Sequence, residues 1–144
     1  MNINIRGRLF DLSKPKVMGI LNLTPDSFYD GGVHNEINKI EDHVNKMVND
    51  GMDILDIGGY SSKPGAKNIS VDEEFSRVIP ILKHIRKIFP ELVISIDTFR
   101  SKIASASLNE GADIINDISG GTLDKNMMSV VAKNNCPYIL MHMQ

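Results

Sequence analysis

Residues 17–32 read VMGILNLTPDSFYDGG. Val17 to Leu21 carry no charge, Asn22 is the first polar residue, and Thr24-Pro25-Asp26-Ser27 breaks the run before Gly31-Gly32. A short apolar run between a Lys/Pro-rich lead and a Pro/Gly-rich exit reads as a buried strand feeding a loop. The loop gathers an amide, two carboxylates, two aliphatic hydroxyls and two aromatics. Loops on a rigid scaffold are where binding chemistry is usually placed.

On the N-terminal side, weak alternation over Ile3–Leu12 around Arg6-Gly7-Arg8 predicts a short hairpin or an extended lead. The first parallel strand is expected at Lys16–Leu21. On the C-terminal side, Ile37, Ile40, Val44, Met47 and Val48 recur at spacings of three and four, the mark of an amphipathic helix. Asn35 is its expected N-cap and Gly51 its stop. Met52–Ile57 is a second strand with Asp56 at its far end, followed by Gly58-Gly59. Ser70-x-x-Glu73 matches a capping box. It opens a helix with Phe75, Val78, Ile79, Leu82, Ile85 and Phe89 inward, which Pro80 should kink or shift. Strand Leu92–Asp97, a small-residue helix Ser101–Glu110 closing at Gly111, strand Asp113–Asn116, a helix over about 124–133 and strand Pro137–Met141 complete the chain.

The order βαβαβαβαβ with short connections implies an α/β fold with a parallel sheet and right-handed crossovers. A doubly wound sheet and part of a (β/α)8 barrel both fit. No GxGxxG follows the first strand, which weakens a dinucleotide-binding reading.

The bulk properties narrow the function classes. The chain has 144 residues, 42% apolar and 24% charged, as expected of one globular domain. A net charge of −2 gives no electrostatic case for nucleic acid or an anionic membrane. Cys136 is the single cysteine, so no intrachain disulfide forms and a reducing compartment is expected. No apolar stretch is long enough to span a bilayer, and MNINIRGRLFDL lacks a secretory apolar core. The expected location is the cytoplasm.

The apolar runs end on polar residues: Asn22, Asp56, Asp97, Asn116 with Asp117, and His142. Parallel strands share a C-terminal rim, where α/β enzymes carry their sites. Amides and carboxylates there offer paired donors and acceptors to a flat heterocycle. Buried without partners, each would cost a few kcal/mol. A cap or turn role is equally available to each position alone. The set together supports a site, with Asp117 and Asp26 the best candidates for structural roles. No Cys/His cluster has zinc spacing, and no Ser-His-Asp arrangement is readable.

The motifs ILNLTPDSFYDGG (20–32), DIGGYSSKPGA (56–66), SIDTFR (95–100), GADIINDISGG (111–121) and MHMQ (141–144), in this order, resemble the dihydropteroate synthase family. The resemblance implies a pterin-binding TIM barrel. The chain would be the N-terminal part of one such domain over 1–144, with about five strands and four helices of an incomplete barrel. It implies condensation of 6-hydroxymethyl-7,8-dihydropterin diphosphate with p-aminobenzoate, giving 7,8-dihydropteroate and pyrophosphate. This is a step of folate synthesis and a sulfonamide target.

Carried over by position, Asn22 would sit at the Mg²⁺ and pyrophosphate end. Asp56, Asp97 and Asn116 would line the pterin pocket, with Ile118 and Met141 as apolar walls. Thr24, Phe28 and Asp30 would lie on a first mobile loop; Ser62, Lys63 and Pro64 on a second. Asp30, Asp97 and Lys63 are the implied catalytic residues. The amine is itself the nucleophile, so no protein nucleophile is required. The family's second loop usually reads GGESTRPG, and here it is GGYSSKPG; Tyr60 stands for an acid, and Lys63 loses the planar fork of an arginine.

A (β/α)8 domain usually takes about 250 residues. A fragment is therefore expected, inactive alone, and a homodimer is implied only for the full length. Two competing readings remain at this point. One is a methyltetrahydrofolate-type methyltransferase barrel. The other is a non-catalytic half-barrel module for pterin binding or assembly.

Overall fold

The computed structural model describes residues 1–25, 33–61 and 67–142, the side chains of 33–35 apart. Strands β1 (Asn2–Ile5) and β2 (Arg8–Asp11) form an antiparallel hairpin. Its turn places Arg6 at φ +50° and Gly7 at φ +77°, the left-handed pair of a tight two-residue hairpin turn. Five parallel strands follow in chain order: β3 (Met18–Asn22), β4 (Ile54–Gly58), β5 (Val93–Asp97), β6 (Ile114–Asp117) and β7 (Tyr138–Leu140). The crossover helices are α1 (Val33–Asn49), α2 (Val71–Ile88), α3 (Ser101–Asn109) and α4 (Met127–Asn134). Sequential order with one helix per crossover is the α/β architecture expected from the alternation, and an open piece of a barrel rather than a doubly wound sheet.

Strand residues alternate between faces, so register decides which side each occupies. One face carries Leu21, Leu55, Ile57, Ile94, Ile96 and Ile115, all fully buried. They pack with Ile40 and Val44 of α1, Val78, Leu82 and Ile85 of α2, Ile103 and Ala104 of α3, and Met127 of α4. The other face carries three rows. Met18, Ile54 and Val93 are in register at its lower end. Ile20, Asp56, Ser95 and Ile114 come next, then Asn22, Gly58, Asp97, Asn116 and Ile139. The hairpin covers the lower end: Ile3, Ile5 and Phe10 join Met18, Ile54, Val93, Ile114 and Ile139 in a second apolar cluster. Arg6 Nε meets the buried Asp113 carboxylate at 2.6 Å, and Arg86 Nη2 reaches its other oxygen at 2.7 Å. Asp113 also accepts from the Ile94 N–H at 2.8 Å, so one carboxylate ties hairpin, α2 and β5 together.

Several element bounds differ from expectation. α1 starts at Val33, so Asn35 lies inside the helix rather than at its cap. Ser70 is the N-cap of α2 and its Oγ accepts from the Glu73 N–H at 3.1 Å. The Glu73 carboxylate, however, pairs with Arg77 rather than closing the box. α2 runs from Val71 through Pro80 to Ile88. Phe75 is 46% exposed, and Glu74 takes the inward place beside it. The rest of the inward stripe, Val78, Ile79, Leu82 and Ile85, is buried as expected; only in the first turn does Glu74 replace Phe75, because its carboxylate is bound by Arg100 and Thr98.

Candidate active site

The polar row closes the open face of the sheet at its C-terminal end. Asn22 and Asp97 end their strands, and Asn116 stands one residue before the end of β6. Asp56, expected at a strand end, is the third residue of β4 and sits one row lower, beside Ser95. The depth changes accordingly. Asp56 is 2% exposed, Asp97 and Asn116 are half-buried, and Asn22 faces solvent.

Few of these groups satisfy one another. Asn116 Nδ2 donates to Asp56 Oδ2 at 3.0 Å. Asn116 Oδ1 is buried without a hydrogen-bond partner, and Asp56 Oδ1 and Ser95 Oγ, neighbours across the sheet, make no well-formed bond although Ser95 is close enough to pull the Asp56 carboxyl down. An unpartnered buried polar atom costs roughly 1–3 kcal/mol, so this underbonded cluster can take a further polar partner. Gly58 lies in register between Asn22 and Asp97. A Cβ there would come within 3.4 Å of Asp97 Cβ and 3.5 Å of its Oδ2. The absent side chain leaves a slot beside the carboxylate.

Electrostatics sharpen the picture. Burial pushes the Asp97 carboxyl up to about 7, and the charges of Asp56, Glu74 and Asp117 push the same way. Burial also raises Asp56, against the pull of Ser95 and Asn116. The site therefore holds one carboxyl, Asp97, that takes a proton near neutrality and would ionise fully beside a cationic or N–H-rich edge.

Asp117 is structural, as expected. It is fully buried and accepts from Ser119 N–H and Oγ at 2.8 Å, Gly121 N–H at 2.9 Å and Tyr138 O–H at 2.7 Å. Gly120, at φ +58°, passes so close to the Met141 carbonyl that a Cβ would come to 2.6 Å of it. Ile118 is half-buried just beyond β6, and Met141 is 44% exposed beyond β7. His142 is exposed. Thr24 lines a cleft of about 460 Å³ with Pro25, Ile37 and Ile40 of α1 and Arg77 and Pro80 of α2. Phe28, Asp30, Ser62, Lys63 and Pro64 lie outside the described residues.

Two features escape a reading of strand ends. Ser95 was readable only as a polar residue in the middle of LVISID. The pairing of Glu74 with Thr98 and Arg100 joins residues far apart in sequence, and no local pattern announces it.

A family model described as "Pterin binding enzyme" matches residues 18–144. The chain belongs to the pterin binding enzyme family. It is 49% identical over 126 residues to a dihydropteroate synthase of Clostridium beijerinckii, covering 88% of this chain and 46% of that protein. It is also 49% identical over 143 residues to the mitochondrial folate synthesis bifunctional protein of Arabidopsis thaliana, covering 97% of this chain and 26% of that protein. A solved structure of Xanthomonas albilineans dihydropteroate synthase with 4-aminobenzoic acid superposes with TM-score 0.90 at 38% identity, over 99% of this chain and 52% of that one. The chain thus spans about half the length of these synthases, which are TIM barrels, and its sheet is part of such a barrel. Among the described residues no helix is long and apolar enough to cross a membrane, and no three His, Cys, Asp or Glu converge on a metal position.

Proposed function

We propose that this chain supplies the pterin-binding half of a dihydropteroate synthase. The observation that carries the reading is the underbonded cluster of buried polar groups at Asp56, Ser95 and Asn116, with the Asp97 carboxyl beside them. A pterin presents a flat edge of amino and ring N–H donors alternating with acceptors. A carboxylate accepts from that edge, and an amide both accepts and donates. Asp97 and Asn116 are one register pair, so they present both functions at one height. Asp56, a row lower, meets the ring's inner edge.

The chemistry needed is displacement of pyrophosphate from the pterin methylene by the amine of p-aminobenzoate. Here the residues orient the ring and hold negative charge near a carbon that becomes electron-poor as pyrophosphate leaves. Asn22, exposed at the rim, is the residue we assign to the diphosphate end, on the resemblance. Among the described residues no carboxylates converge with the Asn22 amide oxygen, so they build no all-protein metal cage. That oxygen fits a Mg²⁺ that arrives on the diphosphate and keeps several waters. When bound, that ion would neutralise the leaving group's charge. Asp30, Lys63, Phe28, Ser62 and Pro64 are proposed contributors on the resemblance alone. Cytoplasmic location, sulfonamide sensitivity and a homodimer of the full-length enzyme belong to the same proposal.

The test is calorimetric. The chain should bind 6-hydroxymethyl-7,8-dihydropterin diphosphate, and Asn116→Ala should weaken that binding roughly 10- to 100-fold. Equal affinity in the variant, or no pterin binding by the wild type, sinks the reading. The chain alone is expected to release no pyrophosphate above background.

A further inference from the structure

The turn that follows β5 is tied to α2 by a buried carboxylate. Glu74, in the first turn of α2, is fully buried. Its Oε1 accepts from Thr98 Oγ1 at 2.7 Å, and its Oε2 from Arg100 Nη1 at 2.5 Å. Thr98, itself buried, is engaged twice, because its Oγ1 also accepts from the Arg100 N–H at 3.1 Å. Gly59, just past β4, lies against the same side chain. A Cβ there would come to 3.4 Å from Glu74 Cγ and to 2.8 Å from Val78 Cγ2. The missing side chain lets α2 bring its carboxylate this close to the strand ends. A buried ion pair is weak evidence for stability, since desolvating both charges cancels much of their attraction. Its consequence here is geometric.

Thr98 directly follows Asp97 and donates its N–H to the Asn116 carbonyl at 3.0 Å. Asn116 in turn donates from Nδ2 to Asp56 Oδ2 at 3.0 Å. Asp97 and Asn116 are register partners. One carboxylate on α2 is thus joined, through Thr98, to both residues that stand at one height on the polar row. Glu74 also bears on Asp97 by charge. Burial and Asp56 raise that carboxyl most, Glu74 comes next and Asp117 last, while Arg100 is the cation bound to Glu74. Asp113 ties hairpin, α2 and β5 together in a similar way, but at the lower end of the sheet.

We propose that Glu74 is a positioning residue for pterin recognition: acting through Thr98, it sets the relative height of Asp97 and Asn116, so that one edge of the ring meets an acceptor and a donor together. The proposal rests on the dihydropteroate synthase reading and extends it to a residue of α2.

The experiment measures preference rather than affinity alone. 6-Hydroxymethylpterin is titrated calorimetrically against 6-hydroxymethyllumazine, which carries a carbonyl where the pterin has its amino group. The wild type should prefer the pterin by about tenfold or more. Thr98→Val removes the hydroxyl at nearly constant shape and should cut that preference about fivefold. Thr98→Ser should restore it to within about twofold. Arg6→Ala, which removes one cation from the buried Asp113, should lower stability and leave the preference unchanged. Glu74→Gln keeps an acceptor for Thr98 without the charge. The Asp97 carboxyl, followed by carbon NMR in the ligand-free chain, should then titrate at lower pH than in the wild type. An unchanged preference in Thr98→Val, no rescue by Thr98→Ser, an equal fall in Arg6→Ala, or an unmoved Asp97 titration overturns the proposal. Failure of the wild type to bind pterin would instead overturn the functional reading, and the Asp97 titration still decides whether Glu74 governs that carboxyl.

Discussion

The two faces of the parallel sheet are made by the same strands and obey opposite rules. The face under the helices is apolar and closed, with Leu21, Leu55, Ile57, Ile94, Ile96 and Ile115 all at 0% exposure. The opposite face is apolar at its lower end, under the hairpin, and carries the exposed Ile20 above it. Above that level it changes to Asp56, Ser95, Asp97, Asn116 and Asn22, with buried polar groups left underbonded. Core and proposed site are thereby separated by one residue of strand register: Ile96 packs in the core, and Ser95 and Asp97 on either side of it face the proposed site. A strand can carry unsatisfied polar groups on one face because the other face supplies the burial that offsets them.

That separation can be broken most severely from the helix side. Leu21→Ala or Ile96→Ala should destabilise the fold by about 2–5 kcal/mol in chemical denaturation, because each opens a cavity in a fully buried cluster. Pterin affinity of the folded fraction should stay within a few fold. A large loss of affinity without loss of stability would show that the faces are not independent.

The site face should reveal itself through pH. Asp97 titrates at about 7 in the folded protein and near 3.8 as an ordinary aspartate. The folded state thus holds a proton that the unfolded chain has released between those values. Stability contributed by that proton is full below about pH 4 and is lost as pH rises toward 7, by at most ~4 kcal/mol. Asp97→Asn should flatten the slope of stability against pH over that window. The same ionisation governs the ligand: pterin affinity should fall as pH drops below about 7, since the acceptor form is the carboxylate. A pH-independent wild type in both measurements would remove Asp97 from the role assigned to it.

Smaller effects refine the comparison. Asn116→Ala should cost more in ligand affinity than in stability, the reverse of Leu21→Ala, when the two are compared in the same calorimetric and denaturation assays. Ile20 shares the lower polar row with Asp56 yet is 53% exposed. Ile20→Ser should change stability by less than about 0.5 kcal/mol in denaturant titration. A larger loss would mean that the open face already carries packing of its own.

Much of this was legible in the sequence because each strand is a short apolar run bounded by breakers and each helix has a clear inward stripe. The five parallel strands, four crossover helices and N-terminal hairpin follow from that. What was not legible depended on phase and distance. In strands buried on both faces the period-two signal is masked, so Asp56 looked like a strand end rather than a residue one row down. Phe75 is the larger apolar residue, and spacing alone placed it inward. Glu74 displaces it because Arg100 and Thr98, distant in sequence, satisfy its charge. Ser95 was hidden for a third reason. One small hydroxyl in an apolar strand does not announce that its neighbour across the sheet is an aspartate.

The hairpin has a consequence for how the chain is made. Its anchor, Asp113, receives Arg6 from across most of the length of the chain. At ribosomal rates of roughly 5–20 residues per second, the hairpin is complete some 5 to 20 s before β6 exists to receive it. Over that interval Ile3, Ile5 and Phe10 have only β3, β4 and then β5 to lean on. The hairpin therefore leaves the ribosome well before the strand that secures it, and Ile3, Ile5 and Phe10 lack part of their cover until β6 is made.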